Sequence, residues 1–300
     1  SSDLNKSDIT GYKTGFFDLD HTLHGLQKGD LIILAARPSI GKTAFSLNLA
    51  RNAAVQHNMP VGFFSLEMSA IQLAKRLMTS ESGLSADKIK GGSKLEPFEW
   101  EQLEYKLKDL SKAPLYIDDT ASIPVMEFRT KAKTLVKQKG VRLIVVDYLQ
   151  LMQGPAELRG MREQEVAAIS RTLKATAKEL NVPIIALSQL SRQAVQRSGG
   201  GGKPQLSDLR ESGSIEQDAD MVIFIHRPDA LGLSENPEDK ELTQIIIAKH
   251  RNGQTAEINM RFKSEQVRFV EEGDTLEAHA MGIGSAMNSD NDFGPNPDFM

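Results

Sequence analysis

Apolar residues in this chain gather into short unbroken runs, separated by longer stretches in which they recur every third or fourth position. The runs are "LIILAA" (31–36), "VGFFSL" (61–66), "LYID" (115–118), "LIVVDY" (143–148), "PIIALS" (183–188) and "MVIFIH" (221–226). Continuous rather than alternating apolar character is what a strand buried on both faces requires. Helical spacing fills the intervals, as in residues 69–77, which open with the capping box Ser69-x-x-Gln72, and residues 162–180. This alternation predicts an α/β fold with a mostly parallel central sheet flanked by helices. Later the grammar changes. The stretch "TQIIIAKHRNGQTAEINMRF" reads as a β-hairpin turning at Asn252-Gly253. The run "RSGGGGKPQ" reads as a mobile loop, and residues 278–300, without period and rich in Gly, Asn, Asp and Pro, as a disordered tail.

Composition narrows the function classes. Three hundred residues suffice for one large α/β domain with a core of its own. A net charge of only −4 means that any nucleic-acid contact must come from a local patch or an assembly, not the global field. No cysteine is present, which excludes disulfides and thiolate metal sites and fits a reducing, cytoplasmic setting. No apolar run approaches the ~18 residues of a membrane span, so no membrane partner is expected.

The first run leads into "RPSIGKT". Gly41, Lys42 and Thr43 close the phosphate-loop formula G-x-x-x-x-G-K-[ST], with Ala36 where the formula has glycine. Such a loop turns successive backbone N–H groups around phosphates at a helix N-terminus. A strand before it and helical spacing after it, in "AFSLNLARNAA", are the context the motif demands. An alanine can hold position 36 if its φ is negative. Residues Ser39, Ile40, Gly41, Lys42, Thr43 and Ala44 are the expected nucleotide contacts, with the Thr43 hydroxyl toward Mg²⁺. Asp147, closing "LIVVD", is the carboxylate expected beside that ion, since ligands of open α/β sheets lie beyond the strands' C-terminal ends. Hydrolysis also needs a group to orient water. Glu67 after "VGFFSL" is favoured, with Asp118 and Asp119 as rivals on the same spacing argument. Gln189 offers an amide that could sense the terminal phosphate, or merely cap a loop.

Taken together, "GLQKGDLIILAARPSIGKTAFSLNLA", "VGFFSLEMSAIQLAKRLM", "RLIVVDYLQLM", "VPIIALSQLSR", "LSDLRESGSIEQDADMVIFIHRP" and "IIIAKHRNGQTAEINMRF" closely resemble the motor domain of the bacterial replicative DNA helicases, the DnaB family of RecA-like hexameric ATPases. The resemblance covers most of residues 10–270. It implies a RecA-like P-loop ATPase core with a C-terminal β-hairpin, a homo-hexamer with ATP sites between neighbours, and 5′-to-3′ movement on single-stranded DNA. It implies that Glu67 is the catalytic glutamate, Asp147 the magnesium aspartate, Gln189 the γ-phosphate sensor and Arg76 a nucleotide contact. Lys249 and Arg251 match the pair that reaches a neighbour's site. Without the resemblance they would read as a charge-protected hairpin edge. The "DLRESG" stretch implies DNA contacts at Arg210, Glu211 and Gly213, Glu211 through its backbone or by steering Arg210. Arg192, Arg197 and Lys203 form a basic loop without acids, with Arg192 an expected DNA contact, and Arg159 and Arg162 form a second basic patch; each reads equally as a DNA-backbone contact or as plain surface. On this reading residues 1–9 are the remnant of a linker, 10–277 the motor, and primase and a helicase loader are partners of the full-length protein. The alternatives are a RecA-like ATPase of recombination or repair, and a non-hydrolysing nucleotide-binding module of a ring.

Overall fold

Residues Leu31–Ala36 form β1, buried along its whole length at the middle of a nine-stranded sheet. The computed structural model describes residues 9–190, 202–233, 236 and 239–272. The segments Arg192 to Arg197, residues 1–8 and the tail expected at 278–300 lie outside them. The other apolar runs become β2 (Val61–Ser65), β3 (Leu115–Asp118), β4 (Leu143–Asp147), β5 (Ile184–Gln189) and β6 (Met221–His226). These pair in parallel in the order β3-β2-β4-β5-β1-β6. Beyond β6 the sheet turns antiparallel through β7 (Leu242–His250), β8 (Ala256–Lys263) and β9 (Arg268–Glu271). Strands buried on both faces are the continuously apolar ones, as their sequences require. β3 alone among the parallel strands is only half-buried, because it forms the sheet's edge.

The helices are α1 (Phe17–Leu23), α2 (Lys42–Arg51), α3 (Ala70–Ser82), α4 (Ala86–Lys90), α5 (Pro97–Leu110), α6 (Val125–Lys139), α7 (Arg162–Leu180) and α8 (Gly213–Asp218). Two apolar clusters lie on opposite faces of the sheet, one around Phe45 of α2 and Leu73 of α3, the other around Phe128 of α6 and Leu173 of α7. The Ser69 capping box forms in both directions: the Ser69 hydroxyl accepts from Gln72 N and the Gln72 side chain accepts from Ser69 N. α7 spans the full periodic stretch read from the sequence. No helix among the described residues is long and apolar enough to cross a membrane.

The hairpin differs from its sequence reading. β7 and β8 are joined across Asn252-Gly253, but their last pair is Ile247 with Ala256, so the connection is wider than a two-residue turn. Residues 249 and 250 pair with β6 instead, and Arg251 N donates to Asp220 O.

Asp220, just before β6, fastens the strands' N-terminal edge. Its Oδ2 accepts from Leu31 N (2.8 Å) and Lys174 Nζ (2.5 Å), tying β1 and α7 together. Asp30 lies beside it, and its carboxyl is pushed up to about 6, first by burial and then by the charge of Asp220, against the pull of Lys174 and Arg251. A carboxyl raised in the folded state favours folding fully below its unfolded value, near 4, and loses that contribution as pH rises to about 6. Asp30→Asn is therefore expected to melt higher than wild type at pH 8, by on the order of 1–3 kcal/mol, with the gap closing toward pH 4. Thermal melts of both proteins across pH 4 to 8 check this; parallel curves would contradict it.

Candidate nucleotide site

The C-terminal ends of β1, β2, β4 and β5 lie along one edge of the sheet, where parallel strands and the helix N-termini that follow them leave a crevice. Here a cavity of about 600 Å³ is lined by Ser39, Gly41, Lys42, Thr43 and Ala44 of the loop, Glu67 after β2, Arg76 of α3 and Gln189 of β5. Ala36 keeps its place as the last residue of β1 and is absent from the described residues with left-handed backbone. The left-handed bends fall instead at Ser39 (φ 64°) and Gly41 (φ 110°). Glycine at 41 suits that φ, and a Cβ there would lie 3.2 Å from Phe269 Cζ, a close contact that the ring would have to ease. Ile40 packs its side chain into the core, so any contact it makes with a ligand is through its backbone.

Thr43 and Asp147 meet as their spacing predicts. The Thr43 hydroxyl donates to Asp147 Oδ2 at 2.7 Å, linking the loop after β1 to the end of β4, with β5 between the two strands. Asp147 is fully buried, its Oδ1 makes no hydrogen bond, and burial pushes its carboxyl up against the opposing effects of the Thr43 hydroxyl and Lys42. Burial likewise lowers Lys42, partly offset by Asp147 and Glu67. The Lys42 ammonium sits 4.5 Å from the centre of the Tyr148 ring. A buried carboxylate with one unsatisfied oxygen beside a hydroxyl fits a hard cation bound through oxygen and water. Among the described residues no group of three His, Asp or Glu could hold a metal alone. The donor set therefore suits an ion that arrives with phosphates.

Glu67 is held out between β2 and α3 by a tight turn in which Ser65 Oγ donates to Met68 O and accepts from Met68 N. Its rivals are otherwise occupied. Asp118, on the edge strand, pairs with Lys131 at 2.9 Å, and Asp119 accepts from Ala70 N at the start of α3. On α3, Gln72, Lys75, Arg76 and Thr79 all face the cavity, a polar stripe at 3.6-residue spacing opposite the buried Leu73 and Leu77. Lys75, together with Arg37 and Lys90, adds positive charge that the motifs did not single out. Phe262 and Val267 form an apolar end of the same cavity.

Two supporting residues also escape the motifs. Gln150 donates to Ser188 Oγ (2.8 Å) and Gln189 O and accepts from Gln189 N, fixing the end of β5. Arg162 donates to Gln150 O and pairs with Glu165, so it braces this edge rather than offering a free basic patch. Asn48 of α2 accepts from Phe269 N at 2.8 Å and donates to Val267 O, holding β9 beneath the loop. A polar residue inside apolar sequence, as in "SLNLA" and "DYLQLM", is the signal that could have found both.

A model of the DnaB-like helicase C terminal domain matches residues 11–271. The chain belongs to this family. It is 49% identical over 263 residues to the replicative DNA helicase DnaB of Geobacillus stearothermophilus and 47% identical over 265 to the replicative DNA helicase DnaC of Bacillus subtilis (strain 168). Each match covers 88% of this chain and 57% of the relative, so the chain spans little more than half their length. Among solved structures an isolated ATPase domain superposes with a TM-score of 0.82 at 38% identity, covering 89% of this chain and 93% of that one. A DnaB-like replicative helicase, described with its interactions with primase, gives 0.81 at 39% identity, covering 88% and 62%. The fold is thus that of the DnaB-like ATPase domains, and family membership displaces the recombination and repair reading.

The remaining family-implied residues do not gather at the cavity. Lys249 and Arg251 lie at the N-terminal edge of the sheet, Lys249 opposite Val222 and Arg251 beside Asp220. That is one strand length, ~17–20 Å, from the loop. Arg210 and Glu211 belong to the 3-10 helix Leu206–Ser212, their side chains outside the described residues, and Gly213 begins α8. Arg192 lies outside the described residues. Lys203 pairs with Glu257 at 2.8 Å.

Asn48→Ala is expected to destabilise the domain by about 1–3 kcal/mol through its unpaired backbone partners, and to weaken nucleotide binding by loosening Phe269 under Gly41. Thermal denaturation with and without nucleotide measures both effects.

Proposed function

We propose that this chain is the ATP-hydrolysing motor of a replicative DNA helicase, working in a homo-hexameric ring that moves 5′ to 3′ on single-stranded DNA. The observation that carries the reading is a cavity with phosphate loop, water-orienting carboxylate and sensor at one edge, and the remaining cations at the other. Lys249 and Arg251 cannot reach their own cavity, so a charge-neutralising role for them requires a neighbouring copy. Trans fingers of this kind are typically worth ~10³–10⁵ in rate.

The division of labour follows from chemistry. The loop N–H groups and Lys42 hold the β- and γ-phosphates, and Phe262 and Val267 give the base an apolar wall. Thr43 and Asp147 would hold Mg²⁺, which when bound neutralises charge on the phosphates. Glu67 accepts the proton of the attacking water or orients it, and Gln189, held by Gln150, reports the terminal phosphate. The 206–213 segment meets the DNA backbone without reading sequence, its charge contribution coming from Arg210. Contact with primase and with a loader belongs to the intact protein; a DnaB-like relative described with its primase interactions supports the first. A non-hydrolysing module has no use for Glu67 at this place.

Turnover of ATP by the intact protein is expected to rise with single-stranded DNA. Glu67→Gln should lower kcat by ~10²–10⁴ while leaving nucleotide affinity within about threefold. Equal turnover by the variant would remove Glu67 from catalysis, and absence of any turnover by wild type on DNA would sink the motor reading. In a salt titration, Arg210→Ala should weaken DNA binding uniformly across sequences and reduce the log–log salt slope by about one.

A further inference from the structure

The cations at the far edge are not loosely displayed. The pairing of β6 with β7 shifts register between Val222 and Ile223, so that Val222 faces Lys249 while Ile223 faces Ile247, and Ala248 is the extra residue. Side chains alternate along a strand, so one inserted residue sends everything after it to the opposite face. Ile245 and Ile247 point into the cluster around α2, as Lys249 would without the bulge. With it, Lys249 shares the face of Val222, the side of the sheet where α8 packs through Ile215. There Lys249 Nζ donates to Glu216 O and the Arg251 guanidinium to Gln217 O, carbonyls of the last turn of α8 that have no helical partner of their own.

Asp220 completes this grip. Its carbonyl fixes the Arg251 backbone at 2.9 Å, and its Oδ1 faces Arg251 Nη1 at 3.6 Å. Its other oxygen is held by Leu31 N and Lys174, so the carboxylate cannot turn away. Arg251 keeps 47% of its side-chain surface exposed while Asp220 keeps 8%. A buried, immobilised carboxylate behind a half-exposed guanidinium restricts where that guanidinium can go while leaving its outer face free. Pre-ordering of this sort lowers the entropy lost when the charge is presented to a reacting phosphate.

We propose that Asp220 is a positioning residue for Arg251, holding the guanidinium ready at the subunit rim for the neighbouring copy's nucleotide. The inference rests on the proposed trans role of Arg251. Asp220 stands at the opposite edge from its own subunit's phosphate loop, so its loss should damage the neighbour's reaction and leave its own subunit's nucleotide site intact.

The test uses the intact protein, with two differently tagged variants co-expressed and the doubly tagged assemblies isolated. Lys42→Ala subunits lack a working phosphate loop but retain Asp220 and Arg251. Asp220→Asn alone is expected to hydrolyse ATP about 10²-fold more slowly, with nucleotide affinity unchanged, and Arg251→Ala at least as slowly. Assemblies containing Lys42→Ala subunits should recover a substantial part of the lost activity for both, because intact loops then meet intact fingers. Full activity of Asp220→Asn alone, or a defect that Lys42→Ala subunits do not rescue while they rescue Arg251→Ala, would overturn the positioning role. Failure to rescue Arg251→Ala itself would instead overturn the trans reading on which it rests. Should Asp220→Asn not yield folded protein, Asp220→Glu, which keeps the charge but moves it by one methylene, is read in the same mixture with the same two outcomes.

Discussion

A parallel sheet obliges every strand to end at the same edge, and this domain's chemistry depends on that constraint. β1 must be buried on both faces to sit mid-sheet, yet its last residue must deliver the chain to a loop open to ligand. The same edge then receives the ends of β2, β4 and β5, which bring Glu67 and Gln189 to one cavity and bury Asp147 against Thr43 beside it, from distant places in the sequence. The hydrogen bond from Thr43 to Asp147 joins the loop to that arrangement. Two buried groups of opposite sign, Lys42 and Asp147, are each penalised by desolvation and each relieved by the other, leaving the site electrostatically ready for phosphate and a cation.

The reverse side of the constraint is that anything on an antiparallel neighbour runs the other way. β7 starts near the cavity's edge and ends at the opposite one, carrying Lys249 and Arg251 with it. Strand direction alone therefore places the cavity's groups at one edge and these two cations at the other. On the proposed reading the two edges meet only between copies, and Asp220 and α8 give the far one a defined shape rather than a flexible tip.

Much of this was legible in the sequence, for physical reasons. Doubly buried strands must be continuously apolar, so the six parallel strands declare themselves; a capping box declares the start of α3, and a glycine followed by lysine and threonine declares the phosphate loop. What stayed hidden depends on spatial neighbours. Glu67 could not be separated from Asp118 and Asp119 by spacing, because only the sheet order puts β3 at the edge and its acids into the company of Lys131 and Ala70 N. β9 is too short to show a period. The bulge at Ala248 has no glycine or proline to mark it, and the turn at Asn252-Gly253 is wider than its dipeptide suggests, the last β7–β8 pair being Ile247 with Ala256. Asn48, Gln150 and Asp220 act through backbone groups of other elements, which no local pattern records.

Phe269 beneath Gly41 has a consequence for how the molecule comes into being. The ring that supports the phosphate loop belongs to the last described strand, and the next carboxylate, Glu271, accepts from the backbone N–H groups of Phe17 and Asp18 at the start of α1. Early and late segments thus close on each other. During synthesis the loop leaves the ribosome long before its support does, at ~5–20 residues per second. A nascent chain accordingly carries the phosphate-loop sequence for many seconds before the ring that packs against Gly41 has been made.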